Sequence, residues 1–464
     1  MTGSISKSLI EEISNLVGSE NVLSSPEDLL CYAFDAAPGL YKSKPEVVVS
    51  VENKEQIIKL VELAAANKIP IYTRGGGTNL SGGALPVANG LVLSTLKMNK
   101  ILEVDAENLT ATVEPGVVIQ DLIEVLMPHG LMYPPDPGTV NTATMGGSAA
   151  ENSGGLRGLK YGVTKHYVIG LEAVFADGSI ARFGGKTVKN VTGYDMVSLL
   201  VGSEGTLGII TELTVKLIPI PEYRRSLLAV FMDLDKAAQA IHDIIANKVI
   251  PATLEIMDKF TVQTIENYKK IGLPMEAEAV LLIELDGIKE AALKEAQLVE
   301  EILRNNDASE IRIAQTDAER DAIWEARRAA LPALVRIKPT TILEDATVPR
   351  SKVPEMIRAL RDIANKYNLT IGTFGHAGDG NLHPTILTDE NDKEEMERVE
   401  QAVEDIFKAA LELGGTLSGE HGIGLSKARF LEWEMGTAGV AILHKIKVAL
   451  DPDGILNPGK MTSA

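Results

Sequence analysis

Three glycine-rich tracts in the first half of this chain narrow its fold more than any other feature. They are Arg74-Gly75-Gly76-Gly77-Thr78-Asn79-Leu80-Ser81-Gly82-Gly83, a small-residue tract from Pro134 to Gly155, and Gly202-Ser203-Glu204-Gly205-Thr206-Leu207-Gly208. Glycine lets backbone approach a ligand closely. Two familiar readings of the first tract fail on spacing. A P-loop ends in Gly-Lys-Ser/Thr, whereas this one closes with Gly82-Gly83-Ala84. A dinucleotide fingerprint begun at Gly75 and Gly77 needs glycine where Leu80 stands. What remains is a nest of backbone N–H groups, which binds pyrophosphate without a helix terminus. Three such loops in one region point to a large cofactor carrying both a diphosphate and a planar ring.

The surrounding pattern is mixed α and β. Glu46–Ser50 with Val51 reads as a buried strand, Ile57, Ile58, Val61, Leu63 and Ala64 as a helical face, and Ile69–Tyr72 as a second strand, giving a βαβ unit. Further strands are expected at Gly90–Thr95, Ala111–Val113, Ile169–Phe175 and Leu207–Leu217. Tyr194 reads as a packing residue. Pro219-Ile220-Pro221 is a natural linker. Beyond it, strands at Ser226–Met232, Ala279–Leu285 and Glu310–Ala314 alternate with helices, which suggests a separate α+β domain. Met396, Val399, Val403, Ile406, Phe407 and Ala410 share one helical face that ends at Gly414-Gly415. The last segment, Asp451 to Lys460, is too rich in Gly and Pro for a helix.

A chain of 464 residues exceeds one compact core. Its net charge of −19 argues against nucleic acid or an anionic membrane as the main partner. The single cysteine, Cys31, excludes an internal disulfide and a four-cysteine iron–sulfur cluster. No signal peptide is visible, and no apolar run reaches the ~20 residues that span a bilayer. A cytoplasmic protein with no integral membrane segment is expected.

Three of the seven histidines fall in two short motifs, Gly375-His376-Ala377-Gly378-Asp379-Gly380-Asn381-Leu382-His383 and Gly419-Glu420-His421-Gly422. His376 and His383 flank a tight turn between expected strands Thr370–Gly375 and Leu382–Leu387, so a hairpin brings both imidazoles to one side. Glu420 or His421 then completes a three-ligand metal site with positions open for substrate and water. Two histidines and a carboxylate accommodate zinc, iron or manganese.

Taken jointly, the βαβ unit, Arg74–Thr78, Pro135-Asp136-Pro137, Gly146-Gly147, Gly202–Gly208 and Asn457-Pro458-Gly459-Lys460 resemble FAD proteins of the vanillyl-alcohol-oxidase type. The likeness runs from about Glu46 to Lys460 and is greatest to the branch of glycolate oxidase FAD subunits and D-lactate dehydrogenases. It implies an α+β fold: a two-subdomain FAD-binding domain over 1–219, an α+β cap for substrate over 220–415, and a C-terminal segment over 416–464 returning to the flavin. The FAD pocket implied comprises Arg74, Gly75, Gly76, Gly77, Thr78, Asn79, Ser81 and Gly82; Pro135, Asp136, Pro137, Gly138 and Thr139; Thr144, Gly146, Gly147, Ser148, Asn152 and Gly154; and Glu204, Gly208, Ile209 and Asn457. The resemblance assigns a divalent metal to His376, His383 and Glu420, proton abstraction to His421, and the substrate carboxylate to Arg327 in Trp324-Glu325-Ala326-Arg327, with Arg328 one position away. Asn381 adds a polar contact beside the metal, and Lys427 reads equally as an anion contact or a surface lysine.

Two departures refine this picture. Relatives that tether FAD do so through a histidine in the first loop; Thr78 and Asn79 stand here, so the FAD is expected to be non-covalent. Relatives that handle dicarboxylates carry a lysine where this chain has Leu343-Glu344-Asp345, which favours a small monocarboxylate. The reaction implied is oxidation of a small D-2-hydroxy acid, D-lactate foremost, with glycolate or D-2-hydroxyglutarate as alternatives. Electrons would pass to a separate protein, an electron-transferring flavoprotein or an iron–sulfur subunit. Two readings of another class are a metal-dependent hydrolase and a flavin subunit that only relays electrons.

Overall fold

The computed structural model describes residues 5–37, 39–40 and 43–461, in two compact units. The first comprises Met1–Gly154, Val163–Ile220 and Glu420–Ala464; the second comprises Gly155–Gly162 and Pro221–Gly419. The short run Gly155–Gly162, which the sequence places with the first domain, packs with the second unit, as do residues 416–419.

In the first unit, Val47–Ser50 and Ile71–Arg74 each pair in parallel with Leu91–Ser94, which lies between them. The βαβ unit is therefore real but its strands are not neighbours. Val47, Val48 and Val49 are wholly buried, as expected of a strand covered on both faces. Helix Lys54–Asn67 starts because the Asn53 side chain accepts the Gln56 N–H at 3.0 Å, and it ends in a left-handed Lys68. Its face of Ile57, Leu60, Val61 and Ala64 packs on Val47, Val49, Ile71 and Leu93. An antiparallel five-stranded sheet runs in the order Ile101–Asp105, Thr110–Val113, Ile209–Lys216, Val168–Val174, Ile180–Gly184. Tyr194 does not pack: it is 93% exposed.

The C-terminal segment joins the edge of the parallel sheet. Ile71 donates its N–H to Ile455 O at 2.7 Å, and Asn457 donates to Ile71 O at 2.8 Å, just ahead of the Arg74 loop. This return is anchored by Lys447, whose ammonium bonds Thr206 O and Leu456 O, both at 2.7 Å, and the buried Asp451 carboxylate.

The second unit is built on an antiparallel eight-stranded sheet. Seven strands follow the order Glu310–Ile313, Tyr223–Phe231, Ala279–Gly287, Thr253–Asp258, Thr370–His376, Asn381–Thr388, Thr340–Leu343, and Ala346–Thr347 pairs with Asn381–Thr388. The central strand Ala279–Gly287 is buried along nearly its whole length. Helices Lys259–Lys269 and Asp317–Leu334 supply Val262, Ile265, Ala326, Ala330 and Leu334 to a core shared with Leu282 and Phe374.

Replacing Lys447 leaves the buried Asp451 with backbone N–H donors from Ile455 and Leu456 but no countercharge, and strands two carbonyls. Lys447→Met should therefore cost about 3 kcal/mol in urea unfolding, and adding Asp451→Asn should recover part of it. A single variant with the parental midpoint would show that the anchor contributes nothing.

Candidate functional site

Register fixes the geometry of the histidine motif. Thr370–His376 and Asn381–Thr388 form a hairpin in which Phe374 faces His383 and His376 faces Asn381. Side chains alternate along strands, so Phe374, His376, Asn381 and His383 all leave one face of the sheet. The two histidines are then diagonal neighbours, with ring centroids 5.0 Å apart at 89°. The turn is tight enough to require glycine: Gly380 has φ of +93°, and a Cβ there would lie 2.0 Å from Val348 O.

The adjacent strand supplies a residue the sequence reading missed. Thr253–Asp258 pairs with Thr370–His376 in a register that, continued by one residue, sets Glu255 opposite His376. Glu255 has no exposed surface, and its Oε1 lies 2.7 Å from His376 Nδ1. Its Oε2 accepts from Arg327 Nε at 2.5 Å. Burial by itself would raise this carboxyl, but the facing His376 and Arg327 side chains and their hydrogen bonds outweigh it and hold it at about 2. Arg327 leaves the inner side of helix Asp317–Leu334, with its guanidinium 4.6 Å from the centre of the Phe374 ring. Arg328 points outward to Glu325. The missed signal was a lone acidic residue inside the apolar run Thr253-Leu254-Glu255-Ile256-Met257, since a buried carboxylate demands a partner.

A second missed acid is Asp345, wholly buried, whose Oδ1 is 4.0 Å from His383 Nδ1. Its Oδ2 accepts from Ser418 Oγ at 2.9 Å and from the Gly419 N–H at 2.8 Å. Asn381 accepts from Thr347 Oγ1 at 3.0 Å. Within this unit, two buried imidazoles, one of them backed by a carboxylate, are the donor set and support that a divalent transition metal takes.

The first unit holds a cleft between its glycine-rich loops. Gly75, Asn79, Gly146, Gly147, Glu204, Gly208 and Ile209 line it, together with Gly83 of the first tract and with Thr73, Thr95, Pro115, Glu151 and others outside the expected pocket. Its glycines are required partly by loop packing. A Cβ on Gly76 would meet Thr142 O at 2.3 Å, and one on Gly146 would meet Pro115 Cβ at 2.5 Å. Met145–Glu151 forms a short helix capped by Thr144, which accepts the Gly147 N–H at 3.2 Å. Asn152 closes that helix in a left-handed conformation and accepts the Lys165 N–H. Ser148 bonds Ser153, and Gly154 sits against the Glu420 side chain.

Arg74 lies over the Tyr32 ring, folded against Gly77, with Thr78 half-buried beyond. Ser81 and Gly82 pack against residues 424–426, Ser81 O accepting the Leu425 N–H at 2.8 Å. Pro135 is buried, Asp136 and Pro137 half-buried, and Gly138 and Thr139 exposed; none of the five lines the cleft.

Glu204 spends both carboxylate oxygens on the loop after His421, accepting Ile423 N–H at 2.6 Å and Gly424 N–H at 2.8 Å. His421 itself is buried, and so is Lys427. Asn457 donates to Gly83 O at 2.8 Å and Glu204 O at 2.6 Å, tying the C-terminal segment to two cleft loops. Burial, and then the neighbouring Glu204, push the Glu151 carboxyl well up. Its Oε2 is buried and makes no hydrogen bond among the described residues. A backbone-lined cleft with such an orphan polar atom suits a ligand as polar as FAD.

Comparison with known proteins agrees. Residues 220–461 match the family of FAD linked oxidases, C-terminal domain, and residues 45–184 match an FAD binding domain. The chain is 53% identical to the glycolate oxidase subunit GlcD of Bacillus subtilis over 98% of this chain and 97% of that one. It is 38% identical to a D-lactate dehydrogenase of Archaeoglobus fulgidus, over 98% and 99%. The solved 4-ethylphenol oxidase of Gulosibacter chungangensis shares the fold at 19% identity and a TM-score of 0.79, covering 100% of this chain and 99% of that one. The vanillyl-alcohol-oxidase type of fold expected from the sequence is thus the one observed.

Because the Thr142 carbonyl cannot yield without moving the loop, Gly76→Ala should lower flavin retention at least tenfold, about 1.4 kcal/mol. The ratio of flavin to protein absorbance after gel filtration reads it. Parental retention would mean that the loop adjusts freely.

Proposed function

Since the chain belongs to the FAD-linked oxidases, we propose that it oxidises a small 2-hydroxy monocarboxylate to the 2-oxo acid. The observation that carries this reading is Arg327: a largely buried guanidinium, fixed through Nε and Phe374, whose two Nη groups hold no hydrogen bond among the described residues. A fork so placed is shaped for a carboxylate. Glycolate stands first among candidates, because the relative at 53% identity is named a glycolate oxidase subunit. D-Lactate, the expectation from sequence, stands second on the D-lactate dehydrogenases at 37% and 38%.

His376, His383 and Glu420 are proposed to hold the metal. Chain continuity supports the third: Glu420 directly follows Gly419, whose N–H is bonded to Asp345, the neighbour of His383. His421, the next residue, is proposed as the base. When bound, non-covalent FAD supplies the acceptor for the C2 hydride, and the divalent cation lowers the pKa of the substrate hydroxyl. Arg327 then grips the carboxylate and fixes which C2 face reacts, while His421 removes the hydroxyl proton. With Cys31 the only cysteine, the chain carries no cysteine-ligated cluster of its own, so electrons are proposed to leave to a separate acceptor protein. No helix among the described residues is long and apolar enough to cross a membrane.

The test is anaerobic mixing of the purified flavoprotein with glycolate, D-lactate, L-lactate and D-2-hydroxyglutarate while the flavin absorbance is followed. Bleaching by glycolate or D-lactate is expected, and His421→Ala should slow it by a factor of about 100 or more with flavin content unchanged. Bleaching by none of the four would sink the proposal; rapid bleaching of the variant would remove His421 from it. Acid precipitation should release the flavin to the supernatant, and flavin left on the polypeptide would contradict non-covalent binding.

A further inference from the structure

We infer that Glu255 is a positioning residue that couples the substrate-binding arginine to the metal-binding hairpin. The inference rests on the proposed roles of Arg327 and His376 and adds a link between them. One carboxylate serves both: Oε1 lies 2.7 Å from His376 Nδ1, and Oε2 is 2.5 Å from Arg327 Nε. The 2.7 Å contact commits Nδ1 of His376 to the carboxylate, which leaves Nε2 as the ring nitrogen a metal would take. On the other side, Nε is the one guanidinium donor that can be committed while both Nη groups stay together as a fork. Glu255 therefore selects the metal-binding nitrogen of one side chain and the presented edge of another.

Among the described residues, His376 and Arg327 are the side chains bonded to it. Glu255 is wholly buried, its flanking residues Leu254 and Ile256 are core, and Phe374 covers the guanidinium face. Asp345, 4.0 Å from His383 Nδ1, takes the Ser418 hydroxyl and Gly419 N–H and makes no described bond to Arg327. The histidine tied to the substrate arginine is His376. Loss of the carboxylate should disturb metal affinity and substrate affinity together.

The experiment uses the full-length flavoprotein, stripped of metal by chelator with its flavin retained. Zn²⁺ and Mn²⁺ are titrated by calorimetry into the parent, Glu255→Gln, Arg327→Met and the double variant. Thermal melting and steady-state kinetics follow on the reloaded proteins. Glu255→Gln should weaken metal binding 10–100-fold, on the order of other lost carboxylate supports, and raise KM for the hydroxy acid about tenfold. Arg327→Met should raise KM while leaving metal affinity within about threefold of the parent. The double variant removes both charges, so it should melt near the parent yet keep the weakened metal binding. That last pair separates a positioning role from mere stabilisation.

Metal affinity in Glu255→Gln equal to the parent's would overturn the inference, as would full recovery in the double variant. If the parent binds neither ion, or if His376→Ala and His383→Ala bind them unchanged, the metal reading itself fails and the inference falls with it.

Discussion

Moving a carboxylate from water into a protein interior costs several kcal/mol, and the interior must return that through charges and hydrogen bonds of good geometry. Glu255 imposes this demand at the centre of the second unit, where three separate elements meet it. Helix Asp317–Leu334 must turn Arg327 inward although Arg328, one residue on, stays at the surface. The hairpin from Thr370 to Thr388 must hold the register that sets His376 beside the acid. Strand Thr253–Asp258 must carry a charge through an apolar run. None of these choices is stable alone, so the helix, the hairpin and the strand specify one another.

The first unit solves a related problem with backbone donors. Glu204 is matched by two amide N–H groups and lies in the field of Lys460, itself buried and depressed to about 8 by loss of hydration. Asn457 and Lys460 reach carbonyls of residues 83, 85 and 204, so loops more than 100 residues apart in sequence share one set of buried polar bonds. Each bond is worth about 1 kcal/mol net, but leaving any one partner unmatched costs more than the bond gives. The cleft is consequently shaped as a unit rather than loop by loop.

This explains which parts of the protein sequence alone discloses. The apolar runs at Val47–Ser50 and Ala279–Gly287 and the helical face around Ile57 and Val61 are local patterns, and they are legible. So is the His376–His383 pair, because spacing and a Gly-Asp-Gly turn place both on one sheet face. The insertion of Leu91–Ser94 between the strands of the βαβ unit is not local and was not visible. Glu255 and Asp345 escaped because their meaning lies in cross-strand and cross-loop partners, 121 residues away for Glu255 and 74 for Asp345. The glycine tracts were visible for a partly different reason than supposed. Gly76 makes room for the Thr142 carbonyl and Gly146 for Pro115, which a Cβ would strike regardless of any ligand.

Charge in the second unit bears on how an anionic substrate is held. Arg327 supplies one positive charge, but Glu255 already neutralises it, and the buried Asp345 adds a further negative charge nearby. With a net charge of −19 on the whole chain, long-range attraction cannot compensate, and at physiological salt such fields fade over ~8 Å. A carboxylate docking on Arg327 therefore gains directional hydrogen bonds without net Coulomb attraction from this set. The proposed divalent cation on His376, His383 and Glu420 shifts that balance, since two imidazoles and one carboxylate leave it a single net positive charge, enough to offset Asp345. On this argument the arginine sets the substrate's orientation, and the metal removes the repulsion that Asp345 would otherwise exert and offers open coordination positions to the anion.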